Sequence, residues 1–426
     1  MNKLVDTNPG EGAAAEGTMR ALLDGITDRR LFMVVALPLV ALFLATATWS
    51  RPYHVDAFSN VLPAWNLGTK GSFLLDEHED LTGPDYYRNI AWVVPARETA
   101  ASQYPPGAAL IAAPLYAVWP GDAETVTVRG TNRPDVAPVE VLMPPLGPAA
   151  VAAALAVAPA IGLLGVAFRR VGGSASTAIA GAFIAGLGTS AWSVASDQLW
   201  QHGPAMAWIA LGVVLSSRGS LAPGLAFGAA ILTRPPTALV AAASGIYRSV
   251  RHRTIRPVFL TGVGAAIGLL LFLIYNSMVF GDTSVSAGYG TSFQDQARSL
   301  DVVGYAKNVF LGVFSATRGF LIWSPFLLVL LPGIRAGWKA APAWVRGASL
   351  GGVLYLLLQY KANRFSGGAG FFTYRYPLEA LTAAAPLLFL AYREWVASRP
   401  RAVRAFAAMA GFSVILHGLG ALDLLS

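Results

Sequence analysis

The chain has 426 residues, 55% of them hydrophobic and 13% charged, with a mean hydropathy of +0.53. That balance excludes a soluble globular domain and makes the bilayer the solvent. The net charge of +8 does not point to nucleic acid, because the basic residues stand in short runs beside apolar segments, and the lack of cysteine removes disulfides, thiolate nucleophiles and cysteine metal sites.

In chain order, residues 1–30 read as a disordered cytoplasmic tail, polar and rich in Gly and Ala. Residues 31–50 form the first apolar span; the competing reading is a cleavable leader ending near Ala45-Thr46-Ala47. With Arg29-Arg30 inside, residues 51–147 make a long exterior loop. The apolar run 106–119 is short and carries Pro106, Pro114 and Pro120, so it is assigned as a re-entrant or interfacial helix, with a tilted span as the alternative. Further spans are expected at 148–168, 177–195, 204–217, 220–233, 236–247, 257–280, 319–334, 347–361, 377–392 and 404–424. They put Arg169-Arg170 and the basic runs 248–256, 335–346 and 393–404 inside. The expectation is an all-α polytopic membrane domain over 31–426, with about eleven transmembrane helices and an outer C-terminus. Thr233-Arg234-Pro235-Pro236 breaks a pair of short half-helices, and such a break leaves polar backbone where it lines a cavity.

Charge near hydrocarbon is costly, so the charged residues gathered at the outer boundary are functional candidates: Asp56, Asp197, Arg234, Arg318 and Arg375. His54-Val55-Asp56 opens a stretch, 57–67, that reads as an amphipathic surface helix; Asp56 is either its cap or a base for an attacking hydroxyl. Residues 196–204 hold Asp197, Gln198, Gln201 and His202, which would position a sugar or acceptor, or share a divalent cation with Asp56. If helical, the segment puts Asp197 and Gln201 on one face. The blander reading is a wet interfacial turn with a belt residue, Trp200. Three arginines at one face suit a phosphate, because the guanidinium fork donates two parallel hydrogen bonds; Lys361 and Arg364 are read as snorkelling. Phosphate-loop, zinc-protease and serine-hydrolase signatures are all missing from the sequence, and the expected topology leaves only short cytoplasmic loops, so a nucleotide-sugar donor is not expected.

The order of these features resembles the GT-C superfamily of integral membrane glycosyltransferases, above all the protein O-mannosyltransferases and lipid A aminoarabinose transferases. An acid follows the first span, as Asp56 does here; Gln103-Tyr104-Pro105-Pro106-Gly107 is similar to the His-Pro-Pro-like opening of a juxtamembrane helix; Asp197 stands where an acid opens a later span; and Thr233-Arg234-Pro235 matches the short hairpin whose basic residue contacts lipid phosphate. Arg318-Gly319-Phe320 with Ser324-Pro325, and Gly367-Gly368 with Tyr374-Arg375-Tyr376, look like sequences common in bacterial members. One departure is the lone Asp56 after Val55, where the mannosyltransferases often carry paired Asp-Glu.

The resemblance implies a GT-C-like bundle with juxtamembrane helices in its long first exterior loop. It implies transfer of a hexosyl or pentosyl group, such as mannose or an arabinose derivative, in the cell envelope. The donor would be a polyprenyl-phosphate sugar and the acceptor a hydroxyl of a glycan, lipid or protein, with inversion. Asp56 would be the base, Arg234 with Arg318 or Arg375 would hold the phosphate, and His54, Asp197, Gln201, His202 and Tyr374 would orient sugar or acceptor. The rival is a transporter or lipid flippase, which also needs broken helices. Against it, the sequence shows no internal repeat and its charges lie at one surface.

Overall fold

The computed structural model describes residues 25–50, 53–82, 91–128, 137–289, 292–368 and 370–424. The tail expected over 1–30 lies outside the described residues up to residue 24; helix α1 (Asp28–Thr46) then starts with Thr27 as its cap, the Thr27 hydroxyl accepting from the Arg30 N–H at 3.3 Å. One face of α1 is buried through Leu31, Val35, Leu39 and Phe43, while Met33, Val34 and Leu37 point outward. That outward apolar stripe is what a lipid-facing helix presents.

The long loop after α1 is a layer with its own core. It holds α2 (Val55–Lys70), a 3-10 segment (Asp76–Thr82), the antiparallel pair β1 (Val93–Pro95) and β2 (Ala100–Ser102), α3 (Gly107–Val118), and a second pair, β3 (Glu124–Val128) and β4 (Val139–Met143). An all-α chain was expected; the strands correct this, and the alternating Thr and Val of β3 carried the period-2 signal. Helix α2 does not lie open on a surface: residues 56–66 are all buried, packed with Leu75, Leu81 and Tyr116 beneath the rest of the layer.

The bundle follows. It contains α4 (Gly147–Arg170), α5 (Ala175–Leu187) with a π turn at Ala191–Ala195, α6 (His202–Leu215), α7 (Ala222–Thr233), α8 (Ala238–His252) and α9 (Arg256–Phe280). The segment between the expected spans 257–280 and 319–334 contains α10 (Ser292–Arg298) and the outward-facing apolar helix α11 (Val302–Phe314), whose cap is the Asp301 carboxylate. The expected span 319–334 is broken into α12 (Phe320–Trp323), α13 (Phe326–Leu330) and α14 (Ile334–Ala340); α15 (Ala343–Ala362), α16 (Pro377–Ala391) and α17 (Pro400–Ala421) complete the chain.

Among the described residues four helices, α1, α4, α9 and α17, are long and apolar enough to cross a membrane by length and composition. Alanine-rich α4 is the central helix of the bundle, with most of its residues buried. Where α7 crosses α9, Gly224 and Gly228 meet Gly264 and Gly268; a Cβ on Gly268 would lie 2.0 Å from the Gly228 carbonyl oxygen. Small residues four apart on both helices allow this backbone approach, which larger side chains would forbid.

The two ends of the bundle differ. At one, Arg170 joins α4 to Asp28 (2.8 Å) and to the Val214 carbonyl at the end of α6 (2.8 Å), and Arg393 reaches the Val171 carbonyl. At the other, Asp197 holds Thr48, Trp192 donates to Thr46 at 3.0 Å, and Gln198 accepts from the His54 N–H at 2.9 Å. The loop layer caps this second end.

Candidate active site

Between the loop layer and the second end of the bundle lies a cavity of about 590 Å³, lined by Asp56, Asn60, Tyr104, Gln201, His202, Arg234, Gln359, Arg375 and Tyr376 among others. A separate apolar cleft of about 150 Å³ along α4, α5 and α16, with Ile161, Phe168 and Phe389 in its wall, has no charged lining residue. The charged and hydrogen-bonding residues that converge on the first make it the candidate site.

One wall is built by loops. Asp56 sits in the first turn of α2, where a carboxylate faces the helix N-terminus. The cap is His54, whose Nδ1 accepts from the Asp56 N–H at 3.1 Å, so the capping role considered for Asp56 falls to its neighbour. Trp92, delivered by the strand pair, donates its indole N–H to Asp56 Oδ1; Arg375 donates to Oδ2 and, through its other terminal nitrogen, to the Gly367 carbonyl. Burial would raise the Asp56 pKa, but the Arg375 guanidinium, His54 and the Trp92 bond outweigh it and hold the acid near 2.

The other wall is built by bundle helices. A residue before proline is disfavoured in the α region, so α7 ends at Thr233 and Arg234 turns extended (φ −145°, ψ 97°) ahead of Pro235. That turn directs its side chain into the cavity. The Arg234 guanidinium lies 3.1 Å from Glu379 Oε1, 3.2 Å from His202 Nε2 and donates to Gln359 Oε1 at 3.0 Å. His202 Nδ1 also meets Glu379 Oε1, at 2.9 Å. Gly107 joins the two walls: a Cβ there would sit 2.3 Å from the Thr233 hydroxyl, so the Tyr104-Pro105-Pro106-Gly107 turn fits against the break while Tyr104 enters the cavity.

Among the described residues, buried side-chain N–H groups without a partner include Gln201 Nε2, Gln359 Nε2, Arg234 Nε and Arg375 Nε, and all four residues line this cavity. Arg234 Nε touches Glu379 without hydrogen-bond alignment. Buried donors left unpaired are costly, and a group of them around one space is satisfied by an oxygen-rich anion. The wall formed by Pro235, Pro236, Ala238, Leu269 and Leu358 is apolar.

Of the nine residues expected at the site, the structure brings five to the cavity: Asp56, Gln201, His202, Arg234 and Arg375. His54 stands behind Asp56, its ring 4.5 Å from that of Trp200. Asp197 is outside the lining; its Oδ1 accepts the Thr48 N–H and hydroxyl, both at 2.8 Å, tying the end of α1 to the bundle. The segment from Asp197 to Gln201 is not helical, so the shared face considered for these two residues does not form; α6 begins at His202. Arg318 donates to the carbonyls of Phe371 and Thr373, both at 2.8 Å, and clamps the loop that carries Arg375. Tyr374 points the other way, its hydroxyl 2.7 Å from that of Ser324. No three His, Asp or Glu side chains converge on one point among the described residues, and Asp197 does not share a site with Asp56.

Glu379 was not anticipated. A lone acid in the apolar run 377–392, fully buried, was the available signal. Gln359 and Tyr289 were also missed: one is an amide in an apolar helix, the other arrives from a loop with no local pattern.

No family model and no curated protein matches the chain. Among solved structures it is similar to ArnT from Cupriavidus metallidurans bound to undecaprenyl phosphate, with TM-score 0.53 and 17% identity over 90% of this chain and 62% of ArnT. The apo form of the same protein gives TM-score 0.52 and 17% identity, covering 94% of this chain and 64% of ArnT. The chain thus spans less than two thirds of the ArnT chains it matches. The mostly helical architecture, capped at one end by a loop layer, is a fold this chain shares with ArnT.

Proposed function

We propose that this protein moves a sugar from a polyprenyl-phosphate donor to an acceptor hydroxyl. The observation that carries the reading is the Arg234 guanidinium with the unpartnered buried amide N–H groups of Gln201 and Gln359, lining one cavity with the Asp56–Arg375 pair. The donor's phosphate would rest on Arg234 and take the N–H groups of Gln201 and Gln359, and its chain would leave along Pro236, Leu269 and Leu358. ArnT, of the same fold, has been captured with undecaprenyl phosphate, which supports this class of lipid.

In the transfer step the acceptor oxygen attacks the anomeric carbon and its proton passes to Asp56. The bond from the anomeric carbon to the phosphate oxygen breaks, and its electron pair leaves on the polyprenyl phosphate. Arg234 and Arg375 stabilise that developing charge. Attack opposite the leaving phosphate inverts the anomeric centre. Tyr104 and Tyr376 stand beside the path as hydrogen-bonding groups for sugar or acceptor.

The reading includes about eleven crossings with the cavity on the exterior face, supported by the gathering of Asp28, Arg170 and Arg393 contacts at the opposite end. Cysteine placed at Ser72 should then react with an impermeant reagent outside intact cells and cysteine at Ser398 should not; the reverse pattern would invert the topology. The decisive assay is purified protein in nanodiscs with a panel of synthetic polyprenyl-phosphate sugars and acceptors. Release of polyprenyl phosphate with an inverted glycoside is the expected result. Movement of such lipids across the bilayer without bond cleavage would replace the enzyme with a flippase.

A further inference from the structure

Asp56 is the only carboxylate lining the cavity among the described residues, and both of its oxygens are engaged. The groups facing it are Arg375 from the loop before α16, Trp92 and Tyr104 from the loop layer, and His54 from its own cap. In this state Asp56 is a poor base, because the guanidinium that keeps it ionised also covers the oxygen that would receive the proton.

Arg375 is itself incompletely used. One terminal nitrogen serves Asp56, the other serves Gly367, and Nε is buried with no partner. Rings of Trp200, Phe371 and Tyr376 surround it with centroids 5.0 to 5.3 Å from its central carbon. A phosphate grips a guanidinium through two neighbouring N–H groups. Every such fork on Arg375 includes a nitrogen already given to Asp56 or Gly367, and a phosphate seated on Arg234 approaches from the cavity side, where Asp56 stands.

We propose that the donor's phosphate takes Arg375 away from Asp56, so that Asp56 is released as a base only when a polyprenyl-phosphate donor occupies the cavity. This rests on the reading of the cavity as a donor site. Once Arg375 has turned to the phosphate, Asp56 Oδ2 is open to the acceptor hydroxyl while Trp92 still holds Oδ1. After transfer the proton is on Asp56 and the leaving phosphate keeps Arg375. When Asp56 gives that proton to solvent, its carboxylate competes for Arg375 again and favours release of the spent lipid. Water in an empty cavity meets a carboxylate that is already occupied.

Competition for one arginine makes an unusual prediction, because removing the base should strengthen donor binding. Undecaprenyl phosphate affinity is measured for the full chain in nanodiscs as wild type, Asp56→Asn, Arg375→Ala and the double variant. Asp56→Asn keeps the shape and an acceptor for Trp92, and it should bind the lipid about tenfold more tightly than wild type, within the range of coupling between contacting residues. Arg375→Ala should bind more weakly, and adding Asp56→Asn to it should bring no gain. Equal or weaker binding by Asp56→Asn, with wild type binding normally, would mean that Asp56 positions Arg375 for the phosphate, and would overturn the competition. Absence of binding in all four folded proteins would overturn the donor reading and this inference with it.

Discussion

The two walls of the cavity use the same kind of pair, an arginine against a carboxylate, in opposite ways. On the loop wall, Arg375 and Asp56 both line the open space, and the loop carrying Arg375 bends through glycines at positive φ, Gly367 at 65° and Gly368 at 104°. On the helix wall, Glu379 is fully buried behind Arg234 and shared with His202, so the carboxylate aims the cation without reaching the cavity itself. The first pair can separate; the second is part of the bundle's interior. Exchange of partners belongs to the loop wall and fixed placement to the helix wall, because a side chain can change partners only where a new partner can enter.

The largest effect expected from this contrast is on the loop wall. Asp56→Asn should lower transfer by about a hundredfold to ten-thousandfold, the usual worth of a general base, with the variant still folded. Near-normal turnover of the purified variant would remove Asp56 from the chemistry. Next in size is a stability effect on the helix wall. Glu379→Gln strips a buried arginine of its counter-charge and should cost about 3–5 kcal/mol by denaturant or thermal unfolding in detergent. A variant as stable as wild type would mean that Arg234 is solvated from the cavity and that the two walls are alike.

Arg234→Ala should weaken undecaprenyl phosphate binding by about 1.5–3 kcal/mol for a lost charged hydrogen bond, with Arg234→Lys intermediate because an ammonium cannot match the fork. Arg318→Ala is the matched comparison. It frees the Phe371 and Thr373 carbonyls rather than a phosphate, so it should loosen the loop and lower kcat through Arg375 while Arg234-dependent lipid binding persists. Loss of all lipid binding in Arg318→Ala alone would place the phosphate at the clamp instead.

The smallest effects separate the two loop acids. Asp56, held near 2, contributes stability that is complete above its unfolded pKa of about 4 and is lost as pH falls through 2. Burial pushes Asp197 up to about 7 despite the Thr48 bonds that pull it down, so its contribution is complete below about 4 and is lost as pH rises through 7. Asp197→Asn, which still accepts from Thr48, should therefore keep near-normal transfer and show less decline in melting temperature between pH 5 and 8. A large loss of activity in that variant would return Asp197 to the site.

What the sequence by itself determined are the features with a local cause. Apolar runs set the helices; Pro235 ends α7 and forces Arg234 into an extended conformation through the steric restriction on the residue before a proline; and Gln103-Tyr104-Pro105-Pro106-Gly107 marks the entry to α3. The tertiary structure alone decided which charges meet. Asp56 and Arg375 are 319 residues apart and His202 and Glu379 are 177 apart, separations at which no periodicity or motif carries information. Arg318 and Arg375 both stand just before a helix and next to aromatic residues, yet one grips backbone carbonyls and the other a carboxylate. Asp56 and Asp197 are both acids near an apolar boundary, and only packing gave one an arginine and the other a threonine. Cost in a low-dielectric setting shows from sequence that a charge needs a partner; which partner depends on the path of the whole chain.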